Sequence, residues 1–315
     1  MNRLRSLQAK LKADLLILTS RDEAWADVYY YSGEETRPAA MVVTPDDASL
    51  YSDDKGQPLK EFRDYAKKLK GKRIAIDEYS ASAAFLMRLA KKNKIVPFGK
   101  QLLQLREIKE PVEIKNILQA QKITKQCVAE TQFYGKSENH AAGLLELKAR
   151  QKGCALNAFP PIVASGEKTS VPHAVTSENK IRHGQPLLID VGVRYECYCG
   201  DYSTTLYGGQ DKQIKDAIVA VKEAKKAAEK LAKPGTNGKR LSDTAYNVLV
   251  EYGFKGHTFR DAGLSLGHHV GLDVHDGWRN VDRTPLRKGM AFTIEPGVYV
   301  KGKFGVRFED IIVLE

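Results

Sequence analysis

In the first hundred residues, the spacing of apolar side chains alternates between helical and strand-like. Leu4, Leu7 and Leu11 recur at the interval of one helical face. They predict a helix over residues 2–12, and a second helix is expected at about 81–92. Short apolar runs predict strands at residues 14–19, 39–44, 73–77 and 95–98. This order is typical of a small α/β domain with a mixed sheet.

A domain boundary is predicted near residues 105–111. Pro111 suits the first turn of a helix, and Glu110 and Glu113 suit its positive end. That helix should run to about residue 134 and open the second domain. We therefore divide the chain into domains 1–108 and 109–315.

The second domain combines long amphipathic helices with strands that carry acidic residues. The helices are predicted at residues 211–232 and 239–252. The strands are predicted at residues 187–193, 196–207, 291–300 and 306–314. Carboxylates within otherwise apolar strands need a physical cause, because an ionised group is costly to bury.

Composition places the chain among globular proteins. Hydrophobic residues make up 42% and charged residues 28% of its 315 residues. No apolar run approaches the roughly 20 residues that span a bilayer, and the N-terminus lacks a signal-peptide core. The four scattered cysteines suit reduced thiols better than a disulfide framework. We therefore expect a cytoplasmic protein that does not bind membranes.

The formal net charge of +11 raises the question of nucleic-acid binding. The basic clusters fall at predicted helix ends and faces, without interleaved aromatic residues or a recognised DNA- or RNA-binding motif. A charge run of this kind usually forms a solvated face, and we expect no nucleic-acid partner.

Four acidic residues stand out in the strands of the second domain. They are Asp190, Asp201, Glu295 and Glu309, each within or beside an apolar run. Any one of them could be an ordinary ion-paired or turn residue. Together, without an equal set of buried bases, they would repel one another strongly, and bound cations are the simplest remedy.

A cluster of histidines accompanies these acids. His268, His269 and His275 lie among glycine and apolar residues in the segment 266–276. One such histidine is more often a core residue than a ligand. Three within eight positions favour a metal or acid–base site.

Beyond the carboxylates and histidines, several motifs agree in order and spacing with a known family. They are Val163-Ala-Ser-Gly166, Val171-Pro-His-Ala174, Leu188-Ile-Asp-Val-Gly192, Gly200-Asp201, Gly267-His268, Gly271-Leu-Asp-Val-His-Asp276, Thr293-Ile-Glu-Pro-Gly-Val-Tyr299 and Gly305-Val-Arg-Phe-Glu-Asp310. Residues 155–310 resemble the catalytic domain of the pita-bread metallopeptidases, and most of all Xaa-Pro dipeptidases (prolidases) and Xaa-Pro aminopeptidases. The first domain resembles, more weakly, a creatinase-type N-terminal domain. The resemblance implies an α+β protein whose pita-bread catalytic domain follows a smaller α/β domain.

The resemblance also implies a dinuclear metal site. Its ligands would be Asp190, Asp201, His268, Glu295 and Glu309. This oxygen-rich set favours Mn²⁺ or Co²⁺, with Zn²⁺ as an alternative. The implied activity is metal-dependent hydrolysis of the Xaa-Pro bond in dipeptides, in which Glu295 relays a proton.

Further residues receive roles from the same resemblance. His173 and His275 would be catalytic residues that contact the substrate and stabilise its oxyanion. Arg279 would bind the free carboxylate of a dipeptide. Arg307 would hold the ligand carboxylates without touching the substrate. Relatives with this domain arrangement commonly pair, so we expect a homodimer.

The chain departs from the family pattern at several positions. Leu264 replaces a common histidine, and His269 replaces a small or apolar residue next to the ligand. Trp278 stands where proline is common, and Ser203-Thr-Thr205 lacks a frequent arginine. The spacing to Gly271 and His275 sets the ligand register on His268 rather than on its neighbour.

Three alternatives to a dipeptidase follow from the sequence. An aminopeptidase that acts on longer peptides with proline in second position would share every metal ligand. A non-catalytic pita-bread binding protein is disfavoured because such relatives lose ligands, and a creatinase-like hydrolase departs at the same positions. No G-x-S-x-G or H-E-x-x-H motif points to another hydrolase class.

Overall fold

A computed structural model describes residues 3–20, 25–154 and 156–315. The chain divides into two compact units, Met1–Leu105 and Arg106–Glu315. The point of division lies three residues before the boundary predicted between domains 1–108 and 109–315. No described helix is both long and apolar enough to cross a membrane.

The first unit is built on a mixed five-stranded sheet, in agreement with the expected α/β order. Its elements are α1 (Arg3–Lys10), β1 (Leu15–Ser20), α2 (Ala26–Ser32), β2 (Ala39–Val43), β3 (Ala48–Ser52), α3 (Leu59–Lys68), β4 (Arg73–Ile76), α4 (Ala83–Ala90), β5 (Lys94–Pro97) and α5 (Gly99–Arg106). The strand order is β3-β2-β1-β4-β5. β1 pairs antiparallel with β2 and parallel with β4, so it forms the centre of the sheet.

The apolar strands of the first unit were predicted correctly, whereas several amphipathic elements were missed. The sequence indicated neither α2, α3 and α5 nor the edge strand β3. α3 has only Leu59 and Phe62 buried. Two buried apolar residues in a helix of ten give only a weak helical periodicity in the sequence, so the helix was not recognised.

The second unit holds long helices against several small antiparallel sheets. Its elements are α6 (Pro111–Ala129), α7 (Glu138–Gln151), β6 (Leu156–Asn157), β7 (Ile162–Ser165), β8 (Leu187–Val191), β9 (Val193–Tyr195), β10 (Tyr198–Cys199), β11 (Tyr202–Leu206), α8 (Lys212–Leu231), α9 (Gly238–Glu251), β12 (Ala291–Ile294), β13 (Gly297–Val300), β14 (Phe304–Arg307) and β15 (Asp310–Val313). α8 and α9 pack on the apolar faces of β12 to β14 through a common core. This arrangement leaves the opposite side of the strands free to carry polar groups.

Helix α6 begins as predicted but ends earlier. Pro111 stands in its first turn, and Glu110 and Glu113 form a capping box. The helix ends at Ala129 instead of residue 134, and the chain then turns so that Phe133 enters the core between α6 and α7. The prediction of a helix to residue 134 was wrong because tertiary burial of one aromatic side chain ends the regular spacing.

All four predicted long strands are interrupted; the segment 187–193 divides at Gly192 between β8 and β9, and the other three divide at an acidic residue. The segment predicted as strand 196–207 divides into β10 and β11, and 291–300 divides into β12 and β13. The segment 306–314 divides likewise between β14 and β15. These three interruptions fall at Asp201, at Glu295 and at Glu309, three of the acidic residues singled out by the sequence. A break in the ladder frees the backbone to direct each carboxylate out of the sheet.

Candidate metal centre

The candidate centre lies where three strand pairs meet. Asp190 occupies the middle of β8, and its partner across the antiparallel pair with β11 is Ser203. The amide of Glu309 donates to the carbonyl of Ser203 at 3.0 Å, which joins the end of β14 to β11. Side chains from separate strands are thereby brought to one side of the sheet. Asp201 directly precedes β11, so the antiparallel pairing of β8 with β11 brings Asp190 and Asp201 near each other.

The predicted ligands lie near one another, and three of them form a group that could hold a metal ion. The Nε2 atom of His268 lies 3.4 Å from Oδ2 of Asp201 and 3.5 Å from Oε1 of Glu295. One donor atom each from Asp201, His268 and Glu309 lie within 4.8 Å of one another, a spacing that can hold a metal ion. Asp190 is near enough to act electrostatically on Asp201 and Glu309.

Local backbone geometry directs the His268 ring toward the acids. The His268 amide donates to Oγ1 of Thr293 at 3.2 Å, and its Nδ1 lies 3.2 Å from the carbonyl oxygen of His269. The second ring nitrogen therefore faces the carboxylates. Gly267 must be glycine, because a Cβ there would stand 2.0 Å from the carbonyl oxygen of Thr293.

His269 takes the opposite direction. Its ring is 1% exposed and packs edge-on against Phe292 at a centroid distance of 6.4 Å. Burial lowers the pKa of His269 to about 4. The structure thus places His268, and not His269, beside the carboxylates.

One buried arginine links the carboxylates to their support. Arg307 is 1% exposed, and its Nη2 donates a short hydrogen bond to Asp190. Its Nε donates to Ser203 Oγ at 3.0 Å, and its Nη1 donates to Tyr299 OH at 3.0 Å and to the Pro172 carbonyl at 3.1 Å. Arg307 is therefore fixed on every side and orients Asp190.

Two of the carboxylates have an oxygen that accepts no hydrogen bond within the part of the chain that the structure describes. Among the described residues, Oδ1 of Asp190 and Oε1 of Glu309 are buried without a hydrogen-bond partner. A buried carboxylate oxygen without a partner carries a large desolvation penalty. Four carboxylates face one buried guanidinium, so negative charge is in excess. A set of oxygen donors with one imidazole suits hard divalent cations, and these residues fit the metal ions that the sequence implies.

Burial and the repulsion of neighbouring carboxylates raise the pKa of Asp201, Glu295 and Glu309. The pKa of Asp201 and that of Glu295 lie well above their ordinary values, first through burial and then through the charge of Glu309. The pKa of Glu309 rises to about 7, from burial and from Asp190. Burial also lowers the pKa of His268 to about 3, so its imidazole is neutral and able to ligate.

Two further predicted residues border the centre. The ring of His275 lies edge-on to that of His268, with centroids 4.1 Å apart, although part of its surface faces solvent. Its pKa is lowered, because neighbouring groups desolvate it and the nearby His173 opposes its protonated form. His173 is exposed and follows Pro172, whose carbonyl Arg307 holds.

Arg279 lies on the same loop as His275. Its side chain is exposed. The position leaves its guanidinium accessible to a ligand, and no described contact assigns it a structural role.

Three residues of the centre were missed in the sequence. Ser203 Oγ donates to Glu309 Oε2 at 2.6 Å, and Thr293 Oγ1 donates to Glu295 Oε1 at 3.3 Å. Each stands two positions from a predicted ligand, and that spacing could have revealed them. Gln121 accepts from the Asp201 amide at 2.9 Å, but it lies on α6, where no local pattern connects it to the site.

Comparison with known proteins places this geometry in context. A model of metallopeptidase family M24 matches residues 115–315. The chain is 35% identical to the Xaa-Pro dipeptidase of Pyrococcus horikoshii over 91% of this chain and 87% of that protein. The crystal structure of the prolidase from Pyrococcus furiosus superposes with a TM-score of 0.88 at 29% identity, over 98% of this chain and 96% of that one.

An X-Pro aminopeptidase shares the same fold. The structure of that enzyme from Thermotoga maritima matches with a TM-score of 0.83 at 30% identity, over 99% of this chain and 95% of the other. These full-length matches confirm the predicted α+β fold, with a pita-bread domain preceded by a smaller one.

The acid cluster predicts a characteristic pH dependence for the metal-free protein. The pKa of Glu309 is about 7 when folded, against an ordinary value of 4.5. Between these values the folded state holds a proton that the unfolded state has lost, so the free energy of unfolding should fall as the pH rises from 4.5 to 7. Thermal unfolding of chelated protein should show a declining melting temperature over this range.

A control isolates the cluster from other titrating groups. Glu309→Gln removes one titrating group and eases the repulsion on Asp201 and Glu295, so it should make the decline shallower, whereas the exposed Glu251→Gln should leave it unchanged. Divalent ions should restore more stability at pH 7.5 than at pH 5, since they compete with protons for the same oxygens. A melting temperature independent of pH in the chelated protein would contradict the repulsive cluster.

Proposed function

This chain belongs to metallopeptidase family M24, and we propose that it hydrolyses the Xaa-Pro peptide bond of dipeptides. The proximity of Asp190, Asp201, His268, Glu295 and Glu309 carries this proposal. Donor atoms of Asp201, His268 and Glu309 lie within 4.8 Å of one another, and one oxygen each of Asp190 and Glu309 is buried without a hydrogen-bond partner among the described residues. The identity of more than 30% to an Xaa-Pro dipeptidase over most of the chain supports the same activity.

Two divalent ions in this cluster would polarise the scissile carbonyl and activate the attacking water. Asp190, Asp201, His268, Glu295 and Glu309 are the residues we propose to hold them. Mn²⁺ or Co²⁺ suits the four carboxylates and single imidazole best, with Zn²⁺ as the alternative.

Glu295 is the residue we propose to move the proton. Its carboxylate is only partly covered, and Thr293 and His268 hold it on two sides. A raised pKa suits a group that accepts a proton from water and returns it to the leaving nitrogen of proline. Its position beside the other proposed ligands supports this role in the proton transfer.

His275 and His173 are the residues we propose to bind the carbonyl oxygen in the transition state. Both are exposed, and a lowering of the pKa of His275 by desolvation and then by the charge of His173 supports their lying close to each other. An N–H donor directed at the developing oxyanion lowers the barrier, because the negative charge grows only as the reaction proceeds.

Arg279 is the residue that favours a dipeptide. It is exposed on the loop of His275, four positions further along the chain. In a dipeptide the C-terminal carboxylate lies one residue beyond the scissile bond, within reach of such an arginine. A longer peptide has no carboxylate there, so an Xaa-Pro aminopeptidase, the alternative function, would gain nothing from this contact.

Loss of a single ligand should separate activity from folding. We expect Asp201→Asn to lower metal content and to reduce dipeptide hydrolysis at least about 100-fold, since even changes to groups that only support ligands cost 10- to 100-fold. Circular dichroism should show an unchanged fold. The exposed Asp216→Asn on α8 is the matched control, and unchanged turnover of Asp201→Asn would exclude this centre.

Substrate length should distinguish the two peptidase activities. With Mn²⁺ added, we expect Ala-Pro to be cleaved and Ala-Pro-Ala to be cleaved poorly, and chelation should abolish both reactions. Arg279→Met should raise the KM for Ala-Pro about 10-fold or more, as expected for loss of a charge-assisted hydrogen bond, while the KM for Ala-Pro amide stays constant.

The exposed Arg283→Met serves as the matched control for that substitution. Efficient cleavage of the tripeptide, with no effect of Arg279→Met, would assign the chain to the aminopeptidases. Failure on both substrates with metal bound would contradict the proposed specificity.

We also propose a homodimer, because the chain matches two-domain relatives over nearly their whole length. Multi-angle light scattering should return about twice the chain mass of 35.1 kDa. A value of one chain mass at working concentration would contradict the dimer.

We propose that the protein acts in the cytoplasm. Cys127, Cys154 and Cys199 are buried thiols outside any disulfide, and a reducing compartment keeps such thiols unoxidised. Detection of the native protein in an exported fraction would overturn this assignment.

A further inference from the structure

The loop 271–280 carries His275 and Arg279 but has no regular secondary structure of its own. All of these residues are described, and none of them belongs to a helix or strand. Its backbone is bonded to other parts of the chain, for example through the Asp276 amide, which donates to the His269 carbonyl at 2.8 Å, and through the Leu272 carbonyl, which accepts from Nη1 of Arg194 at 2.7 Å. A loop without a ladder depends on side-chain contacts to hold one conformation.

Asp276 supplies such a contact from inside the protein. Its side chain is 2% exposed, and its Oδ1 accepts from Nε of Arg106 at 2.7 Å and from Nη2 of the same guanidinium. Its Oδ2 accepts from Nζ of Lys109 at 2.8 Å and from the Leu272 amide at 3.2 Å. Each oxygen of the Asp276 carboxylate therefore accepts two hydrogen bonds.

The two cations are themselves fixed. Nζ of Lys109 also donates to the Arg106 carbonyl at 2.6 Å, and the Lys109 amide donates to the Gly289 carbonyl at 2.8 Å. The side chains of Arg106 and Lys109 are 2% and 0% exposed. The cluster therefore holds the Asp276 carboxylate in place, because moving it away would leave the buried ammonium and guanidinium groups without a counter-charge, which is strongly destabilising.

Gly271 fits this cluster tightly. A Cβ at that position would stand 1.8 Å from Oδ2 of Asp276 and 2.6 Å from Nζ of Lys109. The close approach of the backbone to the ion pair explains why this position needs glycine. It also supplies a substitution that displaces the carboxylate without removing any charge.

We propose that Asp276, held by Arg106 and Lys109, is a positioning residue that sets the place of His275 against the metal centre. This inference rests on the proposed function, since it assigns His275 a role in Xaa-Pro hydrolysis. Consecutive side chains of the loop point in opposite directions: Asp276 enters the interior, and His275 reaches the ring of His268 at 4.1 Å. A shift of the Asp276 carboxylate is transmitted to His275 through one peptide unit.

The alternative is an ion cluster that only stabilises the fold. If the cluster is purely structural, breaking it affects folding or metal binding, and the resulting loss in kcat is the same whether or not His275 is present. A positioning cluster acts through His275, and its effect disappears when that side chain is absent. The two roles therefore differ in whether the effects of substituting Asp276 and His275 are coupled.

A double-mutant cycle measures this coupling. We expect Asp276→Asn to lower kcat for Ala-Pro about 10- to 100-fold, as small displacements of reacting groups do, with less change in KM and with unchanged metal content. In a His275→Ala background the same substitution should cost less than about threefold. Additive losses in the cycle would overturn the proposal.

Two further variants keep the test independent of one substitution. Gly271→Ala should reproduce the loss in kcat, because it displaces the same carboxylate. Asp273→Asn is the matched control: its carboxylate also meets Arg106 but is 38% exposed, so we expect a loss of less than about fivefold. An equal loss in Asp273→Asn would overturn the specific role of Asp276.

A spectroscopic measurement separates failure of this inference from failure of the proposed function. In Zn²⁺-loaded protein, which is diamagnetic, the Hε1 resonance of His275 should report its edge-on contact with His268. We expect this resonance to move in Asp276→Asn and Gly271→Ala but not in Asp273→Asn. An unmoved resonance would overturn the positioning role, whether or not the protein cleaves Xaa-Pro substrates.

Discussion

Mutual repulsion among buried carboxylates is the constraint on which the second unit depends. Asp190, Asp201, Glu295 and Glu309 lie together with one guanidinium, that of Arg307, to oppose their charge. Such crowding is costly in a folded protein unless protons or cations share the site. The pKa of Glu309, raised to about 7, shows the preference for protons when nothing else is bound. Divalent ions would satisfy the same oxygens at neutral pH, in agreement with the metallopeptidase family to which the chain belongs.

The strands are shaped around this constraint. Three of the four acids occupy breaks between consecutive strands, where the backbone is free to turn a carboxylate inward. Helices α8 and α9 cover the apolar side of the same strands and bury it. The polar side is thus held rigid by packing that does not involve the site itself. Supporting groups such as Ser203 and Thr293 then fix the orientation of individual oxygens.

The loop of His275 depends on a second set of buried charges, in which cations and carboxylates are paired. Around Asp276 the cations Arg106 and Lys109 match the carboxylates, so this cluster is balanced and closed. Around Asp190 the acids are in excess, so that cluster is open to ions. A balanced cluster holds a loop in place, whereas an unbalanced one binds a cofactor. The close spacing of His268 and His275 joins the two across the site.

The sequence by itself determined the chemistry of the centre and the central strands. The ligand residues stand in apolar runs where local pattern alone marks them as anomalous, and short motifs carried the resemblance to pita-bread metallopeptidases. The boundaries of the elements depended on tertiary structure, because burial of Phe133 ended α6 and the need to direct Asp201, Glu295 and Glu309 inward interrupted the strands. Partners far apart in the chain were likewise decided only by folding. Gln121 meets Asp201 across 80 residues, and Lys109 meets Asp276 across 167. No periodicity records such contacts, since they follow from how separate helices, strands and loops pack together.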